Sequence, residues 1–421
     1  MPLFPRGPRL AGLLFVAASL ATAPAYGQAP PPLSLAEALD RARAADPGSA
    51  VAASRLTAAE AAVRQAGVGP TPSLGLEVEN FAGSGPYSVL DRNETTLSYE
   101  QPLERGGKRQ ARTSRARAEL QVARLRGEVR RLDFIRDVQL AYGEALADAA
   151  DLLVAEARLV SAQASQRDIA RRVRNARDPL FAGSRAEVLT TQAQIACDRA
   201  REAARTSRAA LAAYWGGGPD FSLRVEDFFN VQPPAGLPAP DTPDLALLEA
   251  ERDVALAAVR VEQTRGVADP TLRGGLRYFG DGGDVALVVG GSIPLGVRGA
   301  NRANVERAQA ERAAAEHEIA AARLARQREI VRLTARLRAL ALESERIRAE
   351  VIPHALRAVE QVTAGFNRGG FEYLDVTEAE RALGDARARR VEALRDFHAT
   401  QAALDRLTGK HARPTFIEER R

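Results

Sequence analysis

Hydrophobic positions along the chain follow two periods, and the switch between them occurs twice. Ser34 to Gly67 and Thr242 to Gly266 are rich in Ala, Leu and charge, with only scattered strand formers, which predicts a helix over 34–67 and another over 242–266. Proline halts both, at Pro70-Thr71-Pro72 and at Asp269-Pro270. The period then drops to two. Leu74, Leu76 and Val78 alternate with Gly75, Glu77 and Glu79, and Leu97 and Tyr99 alternate with Thr96, Ser98 and Glu100. In the second half Leu272, Leu276 and Tyr278 alternate with Arg273, Gly275 and Arg277, while Val285, Leu287, Val289 and Ile293 alternate with small residues. This predicts strands over about 72–81, 93–101, 270–279 and 284–293, paired as two hairpins. The loops Gly83-Ser84-Gly85-Pro86 and Gly280-Asp281-Gly282-Gly283 carry turn residues.

Each hairpin ends at a proline, Pro102 or Pro294, and runs into a long helical pattern. The first, 103–178, has few glycines past its opening turn; the second, 300–364, carries Pro353, which predicts a kink. Narrow apolar seams, Ile135-Val138-Tyr142-Ala145-Ala149-Leu152 and Ile330-Leu333-Leu337-Leu340-Ile347-Val351, suit coiled-coil packing, the second interrupted by Ser344. Glycines break both helices, at Gly183 and at Gly369-Gly370, so these are the expected tip turns; helices over 185–214 and 371–408 follow. The chain therefore divides into a first unit, 28–215, a Gly- and Pro-rich connector, 216–241, a second unit, 242–409, and a tail, 410–421. The expected fold is mainly α with a small β part, a duplicated helix, hairpin, long helix, helix unit.

Composition narrows the function. The 421 residues are 45% hydrophobic and 27% charged with a net charge of +5, which excludes a disordered chain and gives no basis for nucleic-acid binding. One Cys, Cys197, and four His without common spacing, His317, His354, His398 and His411, offer no disulfide framework and no metal-ligand pattern; the histidines are expected at the surface. No nucleophile motif or phosphate loop is present, so neither an enzyme nor a cofactor is expected. Arg6 and Arg9 precede an apolar run from Leu10 to Ala23 and small-residue cleavage sites, which predicts a secretory signal peptide over 1–27.

Strands of about ten residues with one apolar and one polar face match outer-membrane strands. Four cannot close a barrel, and open sheet edges are not tolerated in lipid, so membrane entry requires oligomerisation. A soluble coiled-coil protein, such as a periplasmic adaptor or structural protein, remains the alternative from another class.

The stretch Leu76 to Arg112 adds a resemblance. Glu79-Asn80-Phe81, Gly83, Glu94-Thr95-Thr96-Leu97-Ser98-Tyr99-Glu100-Gln101-Pro102-Leu103-Glu104 and Gly106-Gly107-Lys108-Arg109 are similar to the start of TolC-like outer-membrane efflux channels, and the strand-to-helix motif Gln101, Pro102, Glu104, Gly106, Gly107, Lys108, Arg109 resembles the CzcC-type heavy-metal branch. The resemblance covers nearly the whole chain after residue 27. It implies a homotrimer in the outer-membrane lipid, a twelve-stranded β-barrel continued by a periplasmic α-barrel. It also implies a periplasmic adaptor and an inner-membrane pump of the resistance-nodulation-division type as partners, and passive export of heavy-metal cations. The same architecture serving drug efflux or type I secretion is poorly separated from it by sequence.

For a conduit the chemistry is electrostatic. By the resemblance, the second tip, Phe366 to Ala379, lines the periplasmic constriction, with Asp375 and Glu378 at acidic positions and Phe366 and Phe371 where a family member can carry Tyr and Arg. A spacing of three puts the two carboxylates on one helix face; a solvated surface face is the alternative. Glu77, Glu79, Glu100, Arg273 and Arg277 are candidates for the barrel lumen, and Tyr99 and Tyr278 for an aromatic girdle.

Overall fold

The computed structural model describes residues 32–87, 92–237, 242–295 and 297–413. The predicted signal peptide and the end of the tail lie outside them. The elements are α1 Leu35–Ala45, α2 Pro47–Ala66, β1 Ser73–Glu79, β2 Glu94–Pro102, α3 Lys108–Arg174, α4 Leu180–Ala212, α5 Val225–Phe229, α6 Pro243–Arg265, β3 Thr271–Phe279, β4 Val285–Ser292, α7 Val297–Ala300, α8 Arg302–Arg346, α9 Ile352–Arg368 and α10 Tyr373–Thr408. The four strands form one antiparallel sheet in the order β1-β2-β3-β4. The two hairpins are joined by β2 and β3, with Leu97 opposite Leu276.

The helices lie beside one another in an elongated layer. Helix α3 is about 100 Å long at 1.5 Å per residue; its sheet-proximal half packs against α2 and α6, and its distal half against α4 and α10. The antiparallel α8 follows α6 and then α10. One margin of the chain is thus made of β1, α2 and α4, and the other of β4, α8 and α9.

Several boundaries differ from the sequence expectation for local reasons. The single helix expected over 34–67 is two, because Pro47 opens a new helix and the Asp46 carboxylate caps it by accepting from the Gly48 N–H at 2.8 Å. The long helix expected from 103 starts at Lys108, after Gly106 and Gly107 take left-handed φ of 73° and 76°. Pro353 is absorbed by a π-helical turn, Ile347–Val351, in which the Ile352 N–H reaches back to the Ile347 carbonyl. That turn also shifts the apolar register: Ile347 stays buried in the seam, whereas Val351, expected there too, is 46% exposed.

The main core sits where α1, α3 and α10 meet the segment between the halves. That segment is more than a connector: Phe228 of α5 is fully buried, the Leu33 N–H donates to the Ser222 carbonyl, and the Tyr142 hydroxyl donates to the Leu33 carbonyl at 3.0 Å. Burial pushes the Tyr142 hydroxyl up to about 12. His398, expected at the surface, is stacked on Phe228 with its Nε2 3.0 Å from the Phe228 carbonyl. Burial holds its imidazole below the ordinary range.

Candidate functional site

The strand register sorts the sheet into two unlike faces. On one lie Leu74, Leu76, Val78, Leu97, Tyr99, Leu272, Leu276, Tyr278, Val285, Leu287 and Val289. They are exposed within the chain, Leu287 and Val289 by 75% and 77%. On the other lie Glu77, Glu79, Glu94, Thr96, Ser98, Glu100, Arg273 and Arg277. All five charged barrel candidates therefore share a face, and Glu94 joins them. Arg273 pairs with Glu100 at 2.6 Å and with Glu77 at 3.9 Å; Arg277 pairs with Glu94 at 2.7 Å and with Glu79 at 3.0 Å. β4 adds only Ala286, Val288, Gly290 and Ser292 to this face, so four carboxylates meet two guanidiniums.

The Gln101 to Arg109 stretch is the joint between sheet and helices. The Gln101 amide donates to the Pro70 and Pro102 carbonyls, at 3.4 and 2.9 Å. Glu104, almost buried, is gripped by Arg112 and lies 3.5 Å from Arg109. Lys108 Nζ donates to Asp269 at 2.5 Å, and the Arg105 N–H donates to the other oxygen of the same carboxylate at 2.9 Å. A Cβ on Gly106 would sit 2.7 Å from the Val267 side chain. The motif thus ties the first hairpin exit to the second hairpin entrance. Asp269, read in the sequence only as a helix stop, is the acceptor both donors need, and these contacts hold its carboxyl below the usual range against the cost of burial.

At the far end both helix turns close with left-handed residues, but not both with glycine. After α9, Gly369 has φ 83°; its N–H donates to the Phe366 carbonyl at 3.0 Å and that of Gly370 to the Gly365 carbonyl at 2.9 Å. After α3 the same motif is built on Ala176, φ 53°, with N–H bonds from Ala176 to Val173 and from Arg177 to Arg172. Gly183, expected to be this tip turn, lies inside α4 instead, because Pro179 starts that helix at Leu180. The expected helix over 185–214 begins correspondingly earlier.

The four tip residues separate. Phe366 is buried among Ile169, Ala182, Ala186 and Val376, so within the chain it is a core residue, whereas the resemblance implied a lining residue. Arg172 covers it, with its guanidinium 4.1 Å from the ring centroid, a bond to the Phe366 carbonyl at 3.0 Å and a bond to Asp178 at 2.6 Å. Phe371 is half exposed and its ring fills the space left by the missing side chain of Gly365. Asp375 is half-buried at the start of α10, where its carboxylate accepts from the Glu372 N–H at 2.8 Å in a capping box. Glu378, one turn on, is exposed. Arg172, Asp178 and Gly365 carried no sequence signal, since Arg recurs along all the long helices and neither Asp178 nor Gly365 stands in a motif.

Two consecutive segments, 38–217 and 241–410, match the family model for outer membrane efflux proteins. The chain belongs to the outer membrane efflux protein family. It is accordingly an outer-membrane protein reaching into the periplasm, from a transport family. It is 28% identical over 400 residues, 90% of each chain, to the cobalt-zinc-cadmium resistance protein CzcC of Cupriavidus metallidurans. It is 29% identical over 283 residues, 64% of this chain and 62% of the relative, to the nickel-cobalt-cadmium resistance protein NccC of Alcaligenes xylosoxydans xylosoxydans. In fold this efflux protein is similar to the outer membrane protein VceC of Vibrio cholerae, with TM-score 0.70, 22% identity and coverage of 89% of this chain and 96% of that one. It is also similar to the Campylobacter jejuni CmeC outer membrane channel, with TM-score 0.72, 14% identity and coverage of 99% and 97%. The fold is the TolC-like one, mainly α with four antiparallel strands. Among the described residues no helix is long and apolar enough to cross a membrane.

Proposed function

We propose that three copies of this efflux protein close margin to margin into one conduit, a twelve-stranded barrel in the outer membrane continued by a helical tunnel through the periplasm. It conducts heavy-metal cations passively, as the outer part of a tripartite assembly with a periplasmic adaptor and an inner-membrane pump of the resistance-nodulation-division type. The observation that carries this reading is the two-faced open sheet. Its apolar face matches lipid and its charged face a wet lumen, yet β1 and β4 leave unpaired edges that lipid forbids. Setting β4 of one copy beside β1 of the next removes every edge, and the same step sets α8 and α9 of one copy beside α2 and α4 of the next.

Heavy-metal cargo is supported by the metal resistance in the names of CzcC and NccC and by the surplus of carboxylates on the lumen face. At the tip, Asp375 and Glu378 form acidic rings around the narrowest part of the tunnel, and Phe371 supplies an apolar collar beside them. Rings of this kind attract cations by field strength and release them, as conduction requires.

Deletion of the gene tests the reading, with growth scored against Zn, Co, Cd, Ni and Cu. Increased sensitivity to one or more of these, together with heat-modifiable trimers in the outer-membrane fraction, is the expected result. Recovery of a soluble monomer from periplasmic extracts would overturn it.

A further inference from the structure

Glu79 and Glu94 stand directly opposite each other on β1 and β2, on the same face of the sheet, at the end of the hairpin furthest from the helices. Directly opposed like charges on neighbouring strands are destabilising, and their Cβ atoms lie about 5 Å apart. That is also the spacing at which two carboxylates can share one divalent cation through oxygen ligands. Arg277 occupies this place. It reaches across from β3, with Nη1 donating to Glu94 at 2.7 Å, Nη2 3.0 Å from Glu79, and Nε donating to Thr96 at 2.9 Å. Glu94 also accepts from the Asn80 amide at 3.3 Å. A single guanidinium thus bridges the one like-charged cross-strand pair of the face and offsets one of its two charges.

Four residues nearer the helices the arrangement differs. Arg273 lies opposite Glu100 and reaches Glu77, but Glu77 is paired with Thr96 and Glu100 with Ser73. The two residues are therefore four positions apart in register, about 14 Å along the backbone of the strand, and their side chains lean toward each other only to reach Arg273. Removing Arg273 leaves no directly opposed carboxylate pair, because the Glu77 and Glu100 side chains are free to part along the strand.

We propose that Arg277 is a resident counter-cation that keeps the outer mouth of the conduit from trapping its divalent cargo. A lumen that attracts cations must also let them leave. With its guanidinium in place the Glu79 and Glu94 carboxylates contribute field but cannot close on a metal ion; without it they form a weak divalent site in the exit path. The inference rests on the conduit reading, since it requires this face to line the lumen.

Planar-bilayer conductance of the purified full-length protein in KCl, before and after addition of ZnCl2, tests it. A water-exposed site of two carboxylates binds in about the millimolar range, so about 1 mM Zn should at least halve the conductance of Arg277→Gln. Wild type and Arg273→Gln, which loses the same charge, should be unaffected, and Glu79→Gln/Arg277→Gln should be relieved of block. Equal block of the two single Arg variants, or none in Arg277→Gln, overturns the proposal. If Arg277→Gln yields no trimers, Arg277→Lys is measured in its place: its point charge satisfies one carboxylate at a time, so partial block is expected and its absence overturns the proposal. A wild-type protein without conductance in KCl would instead overturn the conduit reading on which the proposal depends.

Discussion

The guanidinium of Arg172 lies 4.1 Å over the ring of Phe366 and donates to the carbonyl of the same residue at 3.0 Å, while its other edge holds Asp178. One side chain therefore fastens the end of α3 to its own turn and to the end of α9, over a core shared by all four tip helices. A charge-assisted hydrogen bond contributes about 1.5–3 kcal/mol and a partly desolvated cation–π contact about 1–2 kcal/mol. Arg172→Ala is expected to loosen the tip and raise the resting conductance of the trimer in planar bilayers, with Arg172→Lys intermediate because it cannot form the fork. An unchanged resting conductance in Arg172→Ala would show that this clamp does not restrain the tip.

The proposed acidic rings make a separable prediction. Glu378 is exposed, whereas the Asp375 carboxylate also closes the capping box in the first turn of α10, so Asp375→Asn, which keeps an acceptor oxygen but loses the charge at the helix N-terminus, carries a structural cost of about 0.3–1 kcal/mol that Glu378→Gln does not. Glu378→Gln should lower the cation-to-anion permeability ratio, read from reversal potentials, without changing the melting temperature. Asp375→Asn should lower both. A ratio that is the same in wild type and Glu378→Gln would leave these carboxylates as ordinary surface charges.

How far the sequence revealed this molecule depends on whether a feature is local. The alternation of Leu74, Leu76 and Val78 with Glu77 and Glu79 is a property of neighbours along the chain, and it placed strands and faces correctly. Glu94 is in phase with Thr96, Ser98 and Glu100, so the same alternation extends to it and it was simply overlooked; its pairing with Glu79 and Arg277 is what only the paired sheet supplies. Phe366 was read as a lining residue from its place in a motif, but burial is decided by Ile169 and Ala182, nearly two hundred residues away. Gly183 drew attention as a glycine near a helix end, whereas the left-handed residue is Ala176, a type that carries no turn signal. The Gly-Gly-Lys-Arg turn was visible, but its purpose needed Val267 and Asp269 from the other half.

Ala176 and Gly106 give opposite expectations for the same chemistry. An L-residue in the left-handed region costs about 1–2 kcal/mol, part of which glycine recovers at an entropic cost in the unfolded chain. Ala176→Gly should therefore raise the melting temperature of the detergent-solubilised trimer slightly. Gly106→Ala should lower it by more, because it adds a clash 2.7 Å from Val267 to a φ of 73°. Calorimetry of the two variants beside wild type checks both signs.

Acidification should destabilise the fold through buried histidine. Burial depresses the His398 imidazole below its ordinary value of 6.5, and His411 is likewise depressed by burial. For a group whose folded pKa is lowered, the unfolded chain takes up the proton first. The stabilisation is thus complete above about pH 6.5 and is lost as pH falls from there through the lower folded value. His398→Gln retains an N–H donor for the Phe228 carbonyl but cannot titrate. Thermal melts at pH 8 and at a pH below the unperturbed histidine value should show a smaller drop in this variant than in wild type, the remainder coming from His411 and carboxylates. An identical drop in both proteins would mean that His398 keeps an ordinary pKa despite its stacking on Phe228.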